Sequence, residues 1–404
     1  MGRKPFSETQ HNDTDEVFVA TYHDTADRRL ARARIALRRR LRNGTGVWEA
    51  QIGDDVVAAP GGPASLPSEL ADRLAAPLRS RELLEVARLR TGEEDVALLE
   101  GQRVVQSYGD LDAALLQLVA PQQERPLRRH APAIEHVRAY LRAQLAAIER
   151  TDPLIRSGDD PEAVHDFRVA ARRTRSVLRT TRALYEEEWL ASFRAELKWL
   201  ARELGPLRDL DVLTAWIRKQ EQPEAGPVLD LLETDRRQAR EGALRSLAGE
   251  RYLELLDRFA AAVDAAPVRA ADVSLEALAA KEFDKLRRAA AKLRGSPTDA
   301  EIHRMRIHAK RARYAAELAE PVVGKPARRF IASAKKFQDI VGAHQDAVVA
   351  GERIRSVLDR SKSTETAFVA GQLLERTSRR RRTARRKLPR AWERLERRGR
   401  KSWA

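Results

Sequence analysis

Two kinds of hydrophobic pattern divide this chain. From about Val17 to Tyr108, short apolar runs such as VFVATY and VWEAQI alternate with breaks that contain Gly and Pro, which predicts β-strands joined by turns. One amphipathic helix is predicted within this stretch, at about 67–78. Beyond a proline-rich joint, apolar residues recur with a spacing of about 3.6, which predicts helices to the end of the chain. The pattern predicts an α+β protein that is mainly α-helical.

The same patterns predict the domain organisation. We expect a flexible N-terminus at 1–14, a small β-rich domain at 15–120, a linker at 121–132 and a helical domain at 133–397. The helical domain divides into two halves, at about 133–265 and 275–397. Breaks at Asp-Pro, Gly-Pro and Ser-Pro pairs separate its helices, which are predicted at about 133–150, 161–185, 188–204, 208–220, 226–247, 250–265, 275–294, 299–319, 326–341, 344–360 and 364–397.

An internal repeat links the two halves. The segment HDFRVAARRTR, from His165 to Arg175, matches HRMRIHAKRAR, from His303 to Arg313, at its basic positions. A second match follows in each copy. KWLARELGPLRD at 198–209 aligns with KKFQDIVGAHQD at 335–346, and the two segments share a Lys, a Gly and an Asp at the same positions. Repetition of this kind predicts two similar helical units.

The basic residues of the repeat fall on one side of each helix. Positions i, i+3, i+7 and i+10 lie within a sector roughly 80° wide, because a helix turns about 100° per residue. Each copy therefore carries a basic stripe: His165, Arg168, Arg172 and Arg175, extended by Arg179, and His303, Arg306, Lys310 and Arg313. Small or apolar residues lie on a neighbouring face: Phe167, Ala171, Thr174 and Leu178 in the first copy, and Met305, Ala309, Ala312 and Ala316 in the second.

Four cations in line repel one another, so such a stripe loses stability unless an anion or acidic neighbours neutralise it. One interpretation is that the two stripes face each other across a groove and bind successive phosphates, with Arg as a fork and Lys as a point charge. The other is a solvated basic face with acidic partners nearby. We favour phosphate binding because the stripes contain no acidic residue and the pattern recurs. Further cations are predicted to form a second wall: Arg194, Lys198, Arg202 and Arg208, mirrored by Arg329, Lys335 and Lys336.

The composition narrows the range of possible binding partners. The net charge of +16 and the pI near 10.4 favour a polyanionic binding partner, which is nucleic acid, an anionic membrane or polyphosphate. Aromatic residues make up only 5%, which disfavours stacking on bases. The chain contains no cysteine, no signal-peptide pattern and no long uncharged apolar run, so we expect a cytoplasmic protein without a membrane span. No histidine pair has the spacing of a metal site.

Other polar residues leave alternatives open. His344 either reaches the ligand or caps a bend in a helix. Asp209 and Asp346 each follow a glycine, which favours an N-cap, or an ion pair that orients a motif arginine, over catalysis. The arginine-rich run at 379–390 binds nucleic acid or membrane, or else belongs to a solvated helix whose Leu388 and Trp392 pack on the bundle.

The repeat resembles the CHAD family, the conserved histidine α-helical domain. The resemblance covers about 126–397 and rests on AVHDFRVAARRTRSVLR, LARELGPLRDLDVL, EIHRMRIHAKRARYAAEL and KKFQDIVGAHQDAVV, in that order. It implies two helical bundles related by pseudo-twofold symmetry around a basic channel, and an association with inorganic polyphosphate and polyphosphate granules. It also implies ligand-binding residues in both copies: His165, Arg168, Arg172, Arg173, Arg175, Arg179 and Lys198, then His303, Arg306, Lys310, Arg311, Arg313, Lys335 and His344.

The N-terminal region resembles, more faintly, the CYTH or triphosphate-tunnel family, since TYHDTADRRLARARIALRRR is similar to that family's YYDTxDxxLxxxxxxLRxR segment. Gln51 stands where the family has a tunnel lysine, and the alternating glutamates that hold its metal have no counterpart here. Metal-dependent triphosphate chemistry needs those carboxylates. We therefore expect an inactive remnant of a tunnel domain. For Arg38, Arg40, Arg88 and Arg90 we favour a structural or docking role over contact with an anion.

The leading hypothesis is a non-enzymatic, cytoplasmic protein that binds inorganic polyphosphate, with no catalytic residue, cofactor or metal. One alternative is a CYTH-type triphosphatase or polyphosphatase. Another is a nucleic-acid-binding protein that uses its basic helices. Nothing in the sequence indicates the oligomeric state.

Overall fold

The structure is a computed structural model, and it describes the chain in segments: 19–42, 45–53, 55–79, 81–90, 96–100, 103–108, 127–158, 160–221, 223–269, 271–293, 295 and 297–403. The chain divides into two compact units, with the boundary between Glu124 and Arg125. The predicted N-terminal segment 1–14 and the first half of the predicted linker, at 121–126, lie outside the described residues.

The N-terminal unit contains a seven-stranded antiparallel sheet with strand order β4-β3-β2-β1-β5-β6-β7. Its strands are β1 (Val19–Asp24), β2 (Ile35–Arg42), β3 (Thr45–Ile52), β4 (Asp55–Pro60), β5 (Leu84–Arg90), β6 (Val96–Glu100) and β7 (Arg103–Tyr108). The single helix expected at 67–78 is two short helices, α2 (Ser68–Arg73) and α3 (Ala75–Leu78), and α1 (Arg29–Arg32) precedes β2. A small β-rich N-terminal region is thus confirmed, whereas its kinship with the CYTH family stays a prediction.

Two arginines of the CYTH-like segment have an acidic partner within the sheet. Arg38 and Glu49 are opposite each other on β2 and β3, and Arg38 Nε donates to the Glu49 carboxylate at 2.6 Å. Arg40 Nη1 lies 3.3 Å from the other oxygen of the same carboxylate. The charges of Arg38 and Arg40 are therefore partly neutralised inside the unit.

The second unit is entirely helical over its regular elements, as predicted. Its helices are α4 (Ala133–Ser157), α5 (Pro161–Thr180), α6 (Glu187–Glu203), α7 (Gly205–Arg218), α8 (Gly226–Ala248), α9 (Glu250–Ala265), α10 (Leu275–Ala291), α11 (Asp299–Val323), α12 (Lys325–Arg360) and α13 (Thr364–Ser402).

One predicted break is wrong. The helices expected at 326–341 and 344–360 are a single 36-residue helix, α12, that continues through Gly342. The matching point in the first copy does break, between α6 and α7, because Pro206 lacks an N–H and crowds the preceding turn. Ala343 stands at the equivalent position of the second copy and lets the helix continue.

Buried aromatic residues hold each half together. In the first half, the rings of Phe193 and Phe259 meet edge to face with centroids 5.5 Å apart. In the second half, Phe330 packs edge to face on Phe283 at 5.5 Å, and Leu395 of α13 is fully buried in the same core. A further core joins α7 and α8 of the first half to α12 and α13. The two halves of this unit therefore share a core.

The C-terminal helix α13 packs against α12 along its length. Leu388 is 7% exposed, and the Trp392 ring contacts Phe337 with centroids 6.1 Å apart. On its arginine-rich run, Arg381 and Arg385 both pair with Asp299 at the start of α11. Part of this run thus has a structural role in the bundle.

Candidate anion-binding site

The two motif helices begin at strong N-terminal signals. The Asp160 carboxylate accepts the Glu162 N–H at 2.8 Å and caps α5. Thr298 and Glu301 form a reciprocal capping box at the start of α11. Each helix therefore starts a few residues before its motif histidine, and the two helices contact each other.

The predicted division into faces is confirmed. Phe167 and Ala171 of α5 are fully buried, and Met305 and Ala309 of α11 are at most 1% exposed. The basic residues on the adjacent face are each only partly buried. Packing of the apolar face therefore orients the stripe toward the space between the helices.

The structure brings the centres of the stripes together. Arg172 Nε on α5 donates to the Tyr314 hydroxyl on α11 at 3.0 Å. Burial, together with the charges of Arg172 and Arg306, lowers the pKa of the Lys310 ammonium to about 6. Cations from both copies of the repeat thus lie in one electrostatic cluster.

Two aspartates face the stripes from other helices. Burial lowers the pKa of Arg168, and the charge of Asp209 on α7 offsets part of this lowering. Burial also lowers the pKa of Arg306, and Asp346 on α12 offsets part of it in the same way. Burial in turn raises the pKa of Asp346. The N-cap role considered for these aspartates is wrong, because Asp209 lies in the second turn of α7 and Asp346 lies in the middle of α12.

Arg168 and Arg306 differ in their hydrogen bonds. Arg168 Nη1 donates to the Ala201 carbonyl at 3.4 Å, at the end of α6 where the break exposes a backbone acceptor. The second copy has no break there. Among the described residues, the buried Nε of Arg306 has no hydrogen-bond partner.

The motif histidines also have different neighbours. His303 Nδ1 lies 2.7 Å from the Gln345 side-chain oxygen. Arg208 occupies the position equivalent to Gln345, and burial together with its charge lowers the pKa of His165. Arg208 itself pairs with Glu162 at 3.1 Å.

Acidic residues do reach the stripes, contrary to the expectation that they have no acidic partner. Glu317 lies one turn after Arg313, with oxygens 3.3 Å from Arg313 Nε and 3.4 Å from Arg173 Nε. Tyr314 lies beneath the Arg313 guanidinium, 4.9 Å from ring centroid to Cζ. Sequence analysis missed Tyr314 and Glu317, although both stand where the repeat copies differ, opposite Ser176 and Arg179 of the first copy.

Several predicted ligands of the second wall are exposed, and their role as ligands stays a prediction. Lys198, Lys335 and Lys336 are exposed on α6 and α12. Arg202 is also exposed and lies 3.4 Å from Glu203.

His344 packs into the interior. It is 2% exposed, and its Nε2 lies 3.1 Å from the Asp299 carboxylate. Leu207, the equivalent residue of the first copy, is 3% exposed, so this position faces inward in both copies.

Two properties of the described residues bear on other functions. Over the described segments, no three His, Asp or Glu side chains come together as a set that could hold a metal ion. No described helix is long and apolar enough to cross a membrane.

The chain belongs to the CHAD family. The CHAD domain matches residues 139–355, which is more than half of the chain and includes both motif helices. This agrees with the resemblance inferred from the repeat.

Two solved structures share this fold. The CHAD domain from the plant Ricinus communis is 27% identical with a TM-score of 0.56, and the match covers 65% of this chain and 95% of that one. PptA from Streptomyces chartreusis is 24% identical with a TM-score of 0.54, over 65% of this chain and all of that one.

Two relatives occur in Mycobacterium tuberculosis. The uncharacterized proteins MT2285, of strain CDC 1551, and Rv2226, of strain H37Rv, are each 29% identical over 299 residues. The match covers 69% of this chain and 56% of each relative, so the chain spans about half the length of these relatives.

Proposed function

We propose that the helical unit binds inorganic polyphosphate, or a similar chain of phosphates, between α5 and α11 without altering it chemically. The observation that supports this most is the cluster of Arg172, Arg306 and Lys310, where cations from two helices lie close enough to lower the pKa of Lys310. Partly buried like charges destabilise the fold unless an anion neutralises them. A phosphate chain supplies several negative charges in line with the stripes.

The chemistry of the side chains also favours phosphate. Arginine binds a phosphate through two parallel hydrogen bonds, while lysine supplies a compact charge. The nearby carboxylates of Asp209 and Asp346 face Arg168 and Arg306. Such carboxylates orient the guanidinium groups, which fits a binding role better than proton transfer. The assignment of each motif residue as a ligand stays a prediction.

Membership of the CHAD family supports the same proposal, because the family is associated with polyphosphate. We place the protein in the cytoplasm, at polyphosphate granules. Nucleic acid is a weaker candidate, since the described stripes carry no aromatic platform for bases other than Tyr314, which is buried beneath Arg313.

The test is binding of polyphosphate chains of defined length by the wild type and by the double variant Arg172→Gln, Lys310→Gln. Glutamine removes the charge and keeps much of the volume. We expect the double variant to bind at least tenfold more weakly, with a shallower dependence on salt. The matched control is the pair Arg237→Gln, Arg355→Gln, which removes two charges from exposed positions on α8 and α12.

Equal binding by the wild type and the stripe variant would overturn the proposal. So would tighter binding of duplex DNA than of polyphosphate at the same salt concentration. Release of phosphate in the presence of Mg²⁺ or Mn²⁺ would contradict the non-enzymatic part alone.

A further inference from the structure

The two ends of the paired stripes differ in charge. Arg179, in the last turn of α5, is equivalent in the repeat to Glu317 of α11. Arg311 is likewise equivalent to Arg173. The two helices contact each other, and Arg173 lies 3.4 Å from Glu317 at one end of the pair. At the equivalent pair of positions, the charge of Arg179 acts on Arg311 and lowers its pKa, after the larger effect of burial. A salt bridge at one end thus corresponds to two cations at the other.

The end at Glu317, named the Glu317 corner, is neutralised within the protein. The Glu317 side chain is 13% exposed and lies against both Arg173 and Arg313. Tyr140 of α4 donates its hydroxyl to the same carboxylate at 3.4 Å. An added anion at this corner would meet a carboxylate that already occupies the arginines.

The opposite end, named the Arg179 corner, consists of Arg175, Arg179, Arg194 and Arg311. After burial, the charge of Arg179 is the largest cause that lowers the pKa of Arg311 and of Arg194. The charge of Arg194 acts in the same way on Arg175. Within the described segments, the buried Nε atoms of Arg175 and Arg194 have no hydrogen-bond partner. The Nε atoms of Arg173 and Arg313 have none either, but they lie within 3.4 Å of the Glu317 carboxylate.

Among the described residues, the carboxylate that acts on Arg311 belongs to Glu282, and a lysine partly neutralises it. Glu282 of α10 offsets part of the lowering of the Arg311 pKa. One oxygen of its carboxylate pairs with Lys285, and the other is buried without a hydrogen-bond partner among the described residues. The corner therefore keeps an excess of positive charge.

The basic surface continues from the Arg179 corner into a cleft between α10 and α11. His308 links the two, because its pKa is lowered by burial and by Arg311 and Arg179, and because it also lines the cleft. The cleft has a volume of about 710 Å³, and three further cations line it: Arg288, Lys292 and Arg304. Its lining also includes Lys285, which pairs with Glu282, and one acidic residue, Glu301. The repeat positions equivalent to Arg304 and His308 are Asp166 and Ala170. The first copy therefore lacks this cationic lining at these positions.

We propose that the phosphate chain lies asymmetrically, extending from the paired stripes past the Arg179 corner into the cleft between α10 and α11, while Glu317 closes the other corner. This rests on the proposed polyphosphate binding and adds a direction to it. Phosphates beyond the stripes are bound at one end only.

A fluorescent label placed at one of two equivalent positions, in two separate variants, tests this direction. The chain has no cysteine, so a single introduced cysteine can be labelled without side products. Ala183 and Pro321 are suitable positions, because each lies 18 residues after its motif histidine and both are exposed. An environment-sensitive dye is attached in Ala183→Cys or in Pro321→Cys, and a short polyphosphate of defined length is added.

We expect the dye at position 183 to respond and the dye at position 321 to remain unchanged. Arg179→Gln should weaken binding at least threefold and reduce the response at 183, while the matched change Glu317→Gln should leave affinity equal or higher. Equal responses at the two positions, a response only at 321, or equal losses in both variants would overturn the asymmetry while polyphosphate binding stands. Absence of binding by the wild type would overturn both proposals.

Discussion

Lys310 should make anion binding depend on pH. Burial and the charges of Arg172 and Arg306 lower the pKa of its ammonium to about 6, so at pH 7.5 it is mostly neutral in the free protein. A phosphate chain between the stripes favours the charged form and raises this pKa. Binding therefore takes up a proton, and affinity falls as pH rises from 6 toward the pKa of Lys310 in the complex.

The size of the effect follows from the pKa. Raising the pH from 6.5 to 8 increases the cost of protonating Lys310 by about 2 kcal/mol, which is roughly a 25-fold rise in Kd. Calorimetry at pH 7.5 in two buffers with different heats of ionisation should detect uptake of about one proton per protein. Long chains are preferable, because the end groups of short chains titrate in the same range.

Lys310→Arg is the control, since arginine stays protonated over this range. Burial and Arg208 also lower the pKa of His165, so the histidine contributes at the acidic end of the range in both proteins. The difference between wild type and variant isolates Lys310. Proton uptake near zero, or the same pH dependence in Lys310→Arg, would refute the reasoning.

The same shift affects folding in a defined direction. The folded-state pKa of Lys310 lies below the ordinary value, so the unfolded chain binds more protons between pH 6 and about 10. Lys310 therefore destabilises the fold most below pH 6, and the penalty disappears as pH rises through this range. In the absence of anion, Lys310→Met should raise the free energy of unfolding at pH 7, and the gain should shrink as pH rises. A gain that grows with pH would contradict this.

Two further predictions concern stability, measured by denaturant unfolding. Glu317→Gln leaves the partly buried Arg313 without its charged partner and should lower the free energy of unfolding by about 2 kcal/mol, so an unchanged midpoint would contradict the contacts of the Glu317 corner. Gly399→Ala places a Cβ 2.1 Å from the Phe283 ring and should destabilise by about 1–3 kcal/mol, whereas Gly371→Ala on the same helix meets nothing within 4 Å and should stabilise by up to about 1 kcal/mol. Equal effects of the two glycine substitutions would show that α13 does not pack on Phe283 as described.

The helices were predictable because their apolar periodicity is long and regular. The break between α6 and α7 followed from Pro206, whose ring cannot continue a helix. The error at Gly342 arose because a lone glycine weakens a helix only slightly and tertiary packing overrides it. In the N-terminal unit, strand boundaries depend on pairing between distant segments, which a local pattern does not contain.

The stripes of the candidate site were predictable from spacing alone. Their partners were not, because Arg173 meets Glu317 only after two helices distant in sequence pack together. The inward position of His344 could have been anticipated, since the equivalent residue of the first copy is the apolar Leu207. Positions where the repeat copies differ, such as Arg179 and Glu317, proved as informative as those that match.

The most direct test of the central claim is a crystal structure of the protein with a short polyphosphate. We expect density for the chain between α5 and α11, with phosphate oxygens within hydrogen-bond distance of Arg172, Arg306 and Lys310. We also expect the chain to continue toward Arg179. Density for polyphosphate elsewhere on the protein, with these three side chains in contact with solvent alone, would contradict the account.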